Sequence, residues 1–79
     1  KSEYPDSMPD YSHATPQIHW PSLLVDAAMA PSKKEARRLL EQGAIKLNRV
    51  PQTELDINWD QTTSVVQVGK RKFFRLIAE

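Results

Sequence analysis

The stretch SKKEARRLLEQGAIKLN, residues 32–48, decides the fold predicted for this chain. A serine three residues before a glutamate, as in Ser32 and Glu35, is a capping box that starts a helix. An apolar face at helical spacing follows, formed by Ala36, Leu39, Leu40 and Gly43. Gly43 supplies the left-handed conformation that ends many helices. Ile45 and Leu47 then alternate with polar residues, so the stretch predicts a helix that turns directly into a strand.

The residues before this stretch predict a second, shorter helix. Pro21 suits a first helical position, where a missing amide donor costs nothing. Apolar residues at helical spacing extend the helix over residues 21–29, and Pro31 stops it. Residues 1–17 contain three prolines and no apolar periodicity, which predicts a linker or flexible arm.

The residues after this stretch predict a β-hairpin. Residues 64–68 and 72–78, SVVQV and KFFRLIA, are rich in β-forming residues, and the GKR between them favours a turn. Residues 49–63 are polar and irregular, although an alternation allows a short strand or a flap over the core, formed by Leu55, Ile57 and Trp59. Two helices followed by strands predict an α+β domain over residues 18–79, with the helices packed on a small, mainly antiparallel sheet.

Composition excludes several kinds of site. The 79 residues contain no cysteine, which removes disulfides, thiolate metal sites and a cysteine nucleophile. The two glycines are too few for a phosphate-cradling loop, and His13 and His19 have no further ligand beside them. We therefore expect no catalytic residue, metal or cofactor in this chain. No apolar run approaches the roughly 18 residues of a membrane span, and no signal peptide is visible, so we expect a cytoplasmic protein.

Charge is separated along the chain although the net charge is only +1. Residues 32–49 sum to +4 and residues 69–79 to +3, whereas residues 1–20 and 50–68 sum to −2 and −3. Ten of the eleven basic residues therefore lie in two short blocks. Such segregation lets a nearly neutral protein present a positive surface to a polyanion.

Four basic residues of the first block, Lys33, Lys34, Arg37 and Arg38, lie in the first two turns of the helix, towards the end where cations are least expected. Helix dipoles favour anions at the amino terminus, so cations there make sense beside a bound phosphate. A solvated face, partly neutralised by the pairs Arg37 with Glu41 and Arg38 with Glu35, is the alternative. The strand should bring further polar groups near the helix. The predicted RNA-binding residues are Ser32, Lys33, Lys34, Arg37, Arg38, Gln42, Lys46, Asn48 and Arg49; Ser32 is better explained as a cap.

Three cations of the second basic block lie at the tip of the predicted hairpin, namely Lys70, Arg71 and Lys72. These residues predict either a second RNA-binding patch or a solubilising turn, and the sequence favours neither.

Residues 32–48 resemble the signature of the S-four RNA-binding domain, Ser-Arg/Lys-x-Glu-Ala-Arg-x-Leu-Ile-x-x-Gly-x-Val-x-Val-Asn-Gly. The residues that match outright are Ser32, Lys33, Glu35, Ala36, Arg37, Leu39, Gly43 and Asn48. Arg49 stands where glycine is usual, so the turn there should differ. The resemblance implies the S-four-like alpha-L motif and binding to RNA.

The end of the chain, VVQVGKRKFFRLIAE, resembles the closing hairpin of bacterial tyrosyl-tRNA synthetases, which carry this domain at their carboxyl end. QIHWPSLLVDAAMAPSKKEAR resembles their linker and domain entry. This implies tRNA as the partner, specifically tyrosine tRNA with its long variable arm. It also implies an ATP-dependent parent ligase whose catalytic domain lies elsewhere, since its His-x-Gly-His and Lys-Met-Ser-Lys-Ser motifs are absent here. Two alternatives remain: an S-four domain of a pseudouridine synthase or ribosome-associated factor, and a basic domain that docks an acidic protein.

Overall fold

The computed structural model describes residues 7–79 and contains two helices and seven short strands. The helices are α1, Trp20–Asp26, and α2, Lys33–Glu41. The strands are β1 (Asp10–His13), β2 (Gln17–His19), β3 (Ile45–Leu47), β4 (Val50–Pro51), β5 (Asp56–Asn58), β6 (Thr63–Val68) and β7 (Lys72–Ala78). The predicted α+β class and the mainly antiparallel sheet are confirmed.

Five strands form the main sheet in the order β1-β7-β6-β3-β4, and β2 pairs with β5 in a separate two-stranded sheet. Every pairing is antiparallel except that of β1 with β7. The predicted hairpin of β6 and β7 lies at the centre of the main sheet, and Gly69 turns it with a φ of +69°.

The core lies between the helices and one face of the main sheet. Residues directly opposite one another share a face, so Ile45 with Val68, and Val66 with Phe74, line the inner face. All four are buried, together with Trp20, Leu24, Ala36, Leu40 and Leu76. Of the predicted short strand or core flap, the strand is present as β5; Trp59 directly after it is only 2% exposed, whereas Leu55 is 43% exposed and does not cover the core.

Helix α1 is shorter than its predicted range of 21–29. It ends at Asp26 because Ala28 adopts a left-handed conformation with a φ of +61°. The Ala28 amide donates to the Val25 carbonyl at 3.0 Å, and the Met29 amide donates to the Leu24 carbonyl at 2.8 Å. This pair of bonds is the Schellman motif that satisfies the last carbonyls of a helix. The turn therefore stops the helix before Pro31 is reached.

The predicted arm differs from the structure at residues 10–13, which form strand β1. Asp10 lies opposite Arg75 of β7, and their side chains form an ion pair at 2.9 Å. The pairing satisfies backbone groups of β7 that an unpaired edge strand would expose. The Trp59 amide also donates to the Pro16 carbonyl at 2.6 Å. Residues 1–6 of the predicted arm lie outside the described residues, and the division of the chain at residue 18 stays a prediction.

Candidate nucleic-acid interface

Helix α2 is fixed at both ends by local hydrogen bonds. The Ser32 hydroxyl accepts from the Glu35 amide at 3.2 Å, which confirms the predicted cap. At the other end Gly43 has a φ of +71°, and its amide donates to the Leu40 carbonyl at 3.0 Å. The Ala44 amide donates to the Leu39 carbonyl at 2.9 Å, which completes a second Schellman motif. These bonds set the direction in which the chain leaves α2 and enters β3.

The four predicted cations of α2 all lie on its solvent side. Ala36 and Leu40 are buried at 0% and 1% exposure and hold the opposite side against the sheet. The exposed cations are Lys33, Lys34, Arg37 and Arg38. Four positive charges within two helical turns therefore face water.

Little of this charge is neutralised within the molecule. Arg38 Nε lies 3.3 Å from Glu35 Oε1, which is the second of the two pairs considered from the sequence. Arg37 makes no ion pair with Glu41 or with any other residue in 7–79. Over the same residues Lys33 and Lys34 also have no carboxylate partner. Within residues 7–79, neutralisation by a neighbouring carboxylate thus applies to only one of the four cations, Arg38.

Asn48 has a structural role in addition to its predicted contact with RNA. It occupies the turn between β3 and β4 with a φ of +49°. Its Oδ1 accepts from the Val65 amide at 3.0 Å, and its Nδ2 donates to the Ser64 hydroxyl at 3.2 Å. The carboxamide predicted to contact RNA is therefore already bonded at both ends to β6. An asparagine in a two-residue hairpin turn was the signal for this role.

Arg49 follows Asn48 in the same turn and is also left-handed, with a φ of +75°. Left-handed φ values at both central residues define a type I′ turn, whose second position favours glycine. The turn expected to differ at Arg49 therefore keeps its glycine-type geometry, with an arginine side chain added to the tip.

Lys46 does not share a face with the helices. It lies between Ile45 and Leu47 on β3, opposite Gln67, and side chains alternate along a strand. Ile45 points into the core, so Lys46 points to the outer face of the sheet. The prediction that the strand places its polar residues beside the exposed side of α2 is wrong for Lys46. Gln42, the C-cap residue of α2, is exposed.

The second basic patch lies beside α2. The hairpin tip of Lys70, Arg71 and Lys72 is exposed, and it lines one side of a groove of about 460 Å³. Glu35 and Leu39 of α2 line the other side. Helix α2 and the hairpin tip, more than twenty residues apart in sequence, thus flank one depression.

A second cleft, of about 560 Å³, lies beside the small sheet and has a different chemical character. Asp26, His19 and Asp56 are among its lining residues, and His19 Nδ1 lies 2.6 Å from Asp56 Oδ1. Among residues 7–79 no group of three or more histidines and carboxylates is placed to hold a metal ion. Neither α1 nor α2 is long and apolar enough to cross a membrane.

Comparison with known proteins identifies the family. Residues 2–76 match the model of the tyrosine–tRNA ligase SYY-like C-terminal domain. The chain is 45% identical over 78 residues to tyrosine–tRNA ligase of Moorella thermoacetica, a match that covers 94% of this chain and 18% of that protein. It is 37% identical over 76 residues to the Haemophilus influenzae ligase, covering 96% of this chain and 19% of that protein. The chain therefore spans less than a fifth of the length of these relatives. It belongs to the family of tyrosine–tRNA ligase SYY-like C-terminal domains, which confirms the resemblance drawn from its closing hairpin.

Proposed function

We propose that this chain is the tRNA-binding domain of a tyrosine–tRNA ligase and that it grips tyrosine tRNA, including its long variable arm, through α2. The observation that carries the proposal is the exposed cluster on the first two turns of α2, where three of four cations have no carboxylate partner in residues 7–79. Family membership supports tRNA as the partner, because the ligases that the chain resembles act on tRNA, and the negative charge of tRNA complements the cations of α2.

The chemistry of the site suits a phosphate backbone. Arg37 and Arg38 can each present a planar fork of donors to phosphate oxygens, and Lys33 and Lys34 add compact charges. The amino-terminal amides and the dipole of α2 add to the same positive potential. In this proposal Gln42, which is exposed at the other end of α2, contacts a sugar or a base. This surface would recognise RNA shape and backbone more than sequence.

The other predicted residues have more peripheral places in the proposal. Lys46 and Arg49 would extend the positive track around the sheet, since Lys46 faces away from α2. Asn48 is left out because its carboxamide is bonded to β6. Ser32 acts as the cap of α2. Amino-acid activation with ATP belongs, in this proposal, to the catalytic domain of the parent ligase in the cytoplasm, and that domain is the second partner of this chain.

The double variant Arg37→Ala with Arg38→Ala tests the proposal. Four neutralised phosphates give a slope of log affinity against log salt concentration of about −3, from 0.7 to 0.9 per contact. Loss of two contacts should weaken binding and flatten that slope by about 1.5. Fluorescence anisotropy with tyrosine tRNA over a range of salt concentrations measures both quantities.

The matched control is Arg37→Lys with Arg38→Lys, which keeps both charges and should keep most of the slope. If affinity and slope are unchanged in the alanine variant, α2 is not the contact surface. Competition with ribosomal RNA distinguishes the proposed partner from that of a ribosome-associated factor, because only tyrosine tRNA should displace the labelled tRNA efficiently. Survival of complexes after nuclease treatment would instead indicate an acidic protein partner.

A further inference from the structure

The groove between α2 and the tip of the β6–β7 hairpin has walls of different chemistry. Its apolar surface comes from Met29, Leu39 and Val68, and its rim carries Glu35 and the hairpin-tip cations. We propose that this groove holds one unpaired nucleotide of the bound RNA, with its base against the apolar surface and its flanking phosphates on the rim. The inference rests on the proposed function and specifies which feature of the RNA this surface recognises.

The apolar surface is preformed. Val68 is only 3% exposed, and Met29 and Leu39 are half-buried against the core, so the base would meet side chains already fixed by packing. A nucleobase has two flat apolar faces that need such a surface when the base leaves the helical stack. RNA-binding proteins contact unpaired bases far more readily than paired ones, because paired bases in an RNA duplex are hidden in a deep, narrow groove. Methionine adapts well to flat, polarisable partners.

The rim is positive on the hairpin side of the groove. Lys70, Arg71 and Lys72 are exposed, and within residues 7–79 none of them forms an ion pair. On the α2 side Glu35 lines the groove, and Arg38, which is not a lining residue, lies 3.3 Å from its carboxylate. The hairpin-tip cations on one side and Arg38 beyond Glu35 on the other can each approach a phosphate that flanks a base in the apolar depression.

Glu35 distinguishes a nucleotide from an acidic peptide as the occupant. Its carboxylate lies on the groove wall and only accepts hydrogen bonds, so the side-chain carboxylates of an acidic peptide offer it no donor. The same carboxylate can accept hydrogen bonds from the amino group of a base or from a ribose hydroxyl. A nucleotide therefore satisfies the apolar surface, the cationic rim and the acceptor together.

The test compares two RNA hairpins with the same stem, one fully paired and one carrying a single bulged 2-aminopurine. The 79-residue chain should bind the bulged hairpin about fivefold more tightly, the lower end of what contact with one base provides. The 2-aminopurine fluorescence should also change on binding. Met29→Ala removes part of the apolar surface, and Lys70→Gln with Lys72→Gln removes charge from the rim. Both variants should reduce the preference to near one.

Lys33→Gln with Lys34→Gln is the matched control, because it removes the same charge from α2 outside the groove. It should weaken both hairpins alike and leave the preference intact. Equal binding of the two hairpins by the unaltered chain would overturn the groove proposal while the tRNA proposal stands. Failure to bind either hairpin or tyrosine tRNA would overturn both. Amide shifts at Gly69–Lys72 produced by polyglutamate but not by the bulged hairpin would assign the groove to an acidic peptide instead.

Discussion

The substitution Asn48→Ala should lower the free energy of unfolding of the domain, although the Asn48 side chain is exposed. Asn48 holds the β3–β4 turn in a left-handed conformation and joins it to β6 through two side-chain hydrogen bonds. One of these reaches the Ser64 hydroxyl, which is 2% exposed and also accepts from the Trp59 indole at 2.9 Å. The substitution therefore changes the backbone preference of the turn and the outer end of a buried polar network.

The magnitude follows from these two changes. Alanine tolerates the left-handed region less well than asparagine, at a cost of about 0.5–1 kcal/mol. Each lost hydrogen bond costs about 1 kcal/mol, and the partially buried bond to Ser64 cannot be fully replaced by water. The free energy of unfolding should thus fall by about 2–3 kcal/mol. For a domain of this size that lowers the melting temperature by roughly 10–20 °C.

Urea unfolding followed by tryptophan fluorescence measures the change, since Trp20 and Trp59 are both buried. Asn48→Gly separates the two causes: glycine accepts the left-handed conformation, so only the hydrogen-bond loss of about 2 kcal/mol should remain. Where Asn48→Gly is folded, its affinity for tyrosine tRNA should equal that of the unaltered chain. If the free energy of unfolding of Asn48→Ala lies within about 0.5 kcal/mol of that of the unaltered chain, the hydrogen-bond network does not stabilise the domain as argued. Weaker tRNA binding by folded Asn48→Gly would show that Asn48 contacts RNA after all.

The left-handed residues that follow the two helices, Ala28 and Gly43, give predictions of opposite sign for the free energy of unfolding, which the same urea titration measures. Gly43→Ala should lower the free energy of unfolding by about 1 kcal/mol, entirely through backbone strain, because a Cβ there meets no atom within 4 Å. Valine should cost more, because it is β-branched, and a melting temperature unaltered by Gly43→Val would contradict the argument. Ala28→Gly should instead raise the free energy of unfolding by about 0.5–1 kcal/mol, since Ala28 already occupies the same left-handed position; a loss of stability there would show that the Ala28 methyl group makes contacts that outweigh its strain.

The elements that the sequence predicted well are those with local signals. Helix α2 has its capping serine, its apolar face and its terminal glycine within twelve residues. The β6–β7 hairpin has two β-rich segments around one short turn. Strand β1 has no such signal: DYSH is four residues long, mostly polar, and pairs with a strand more than sixty residues later. Its stability comes from the edge of β7, a feature that exists only after the rest of the domain has folded.

The sequence predicted only part of the candidate site, because it contains local periodicity but not the long-range packing of the sheet. The four cations of α2 are not part of its predicted apolar face, so their exposure was expected from the spacing of the apolar residues. The place of Lys46 depended on which face of β3 is covered, and the position of the hairpin tip beside α2 depended on the packing of the sheet. Both are long-range properties that a one-dimensional charge pattern does not contain.

The cations of α2 do not stabilise the helix on which they lie. The two like-charged pairs at i,i+4, Lys33 with Arg37 and Lys34 with Arg38, cost together less than about 1 kcal/mol. The Ser32 cap contributes about 1 kcal/mol and the burial of Leu40 about 2 kcal/mol, so the helix forms without any bound anion. Replacing Arg37 and Arg38 by alanine relieves the repulsion and improves helix propensity, and it removes only one exposed ion pair. The variant that binds RNA more weakly should therefore be at least as stable as the unaltered chain, which separates the binding role of these residues from any structural one.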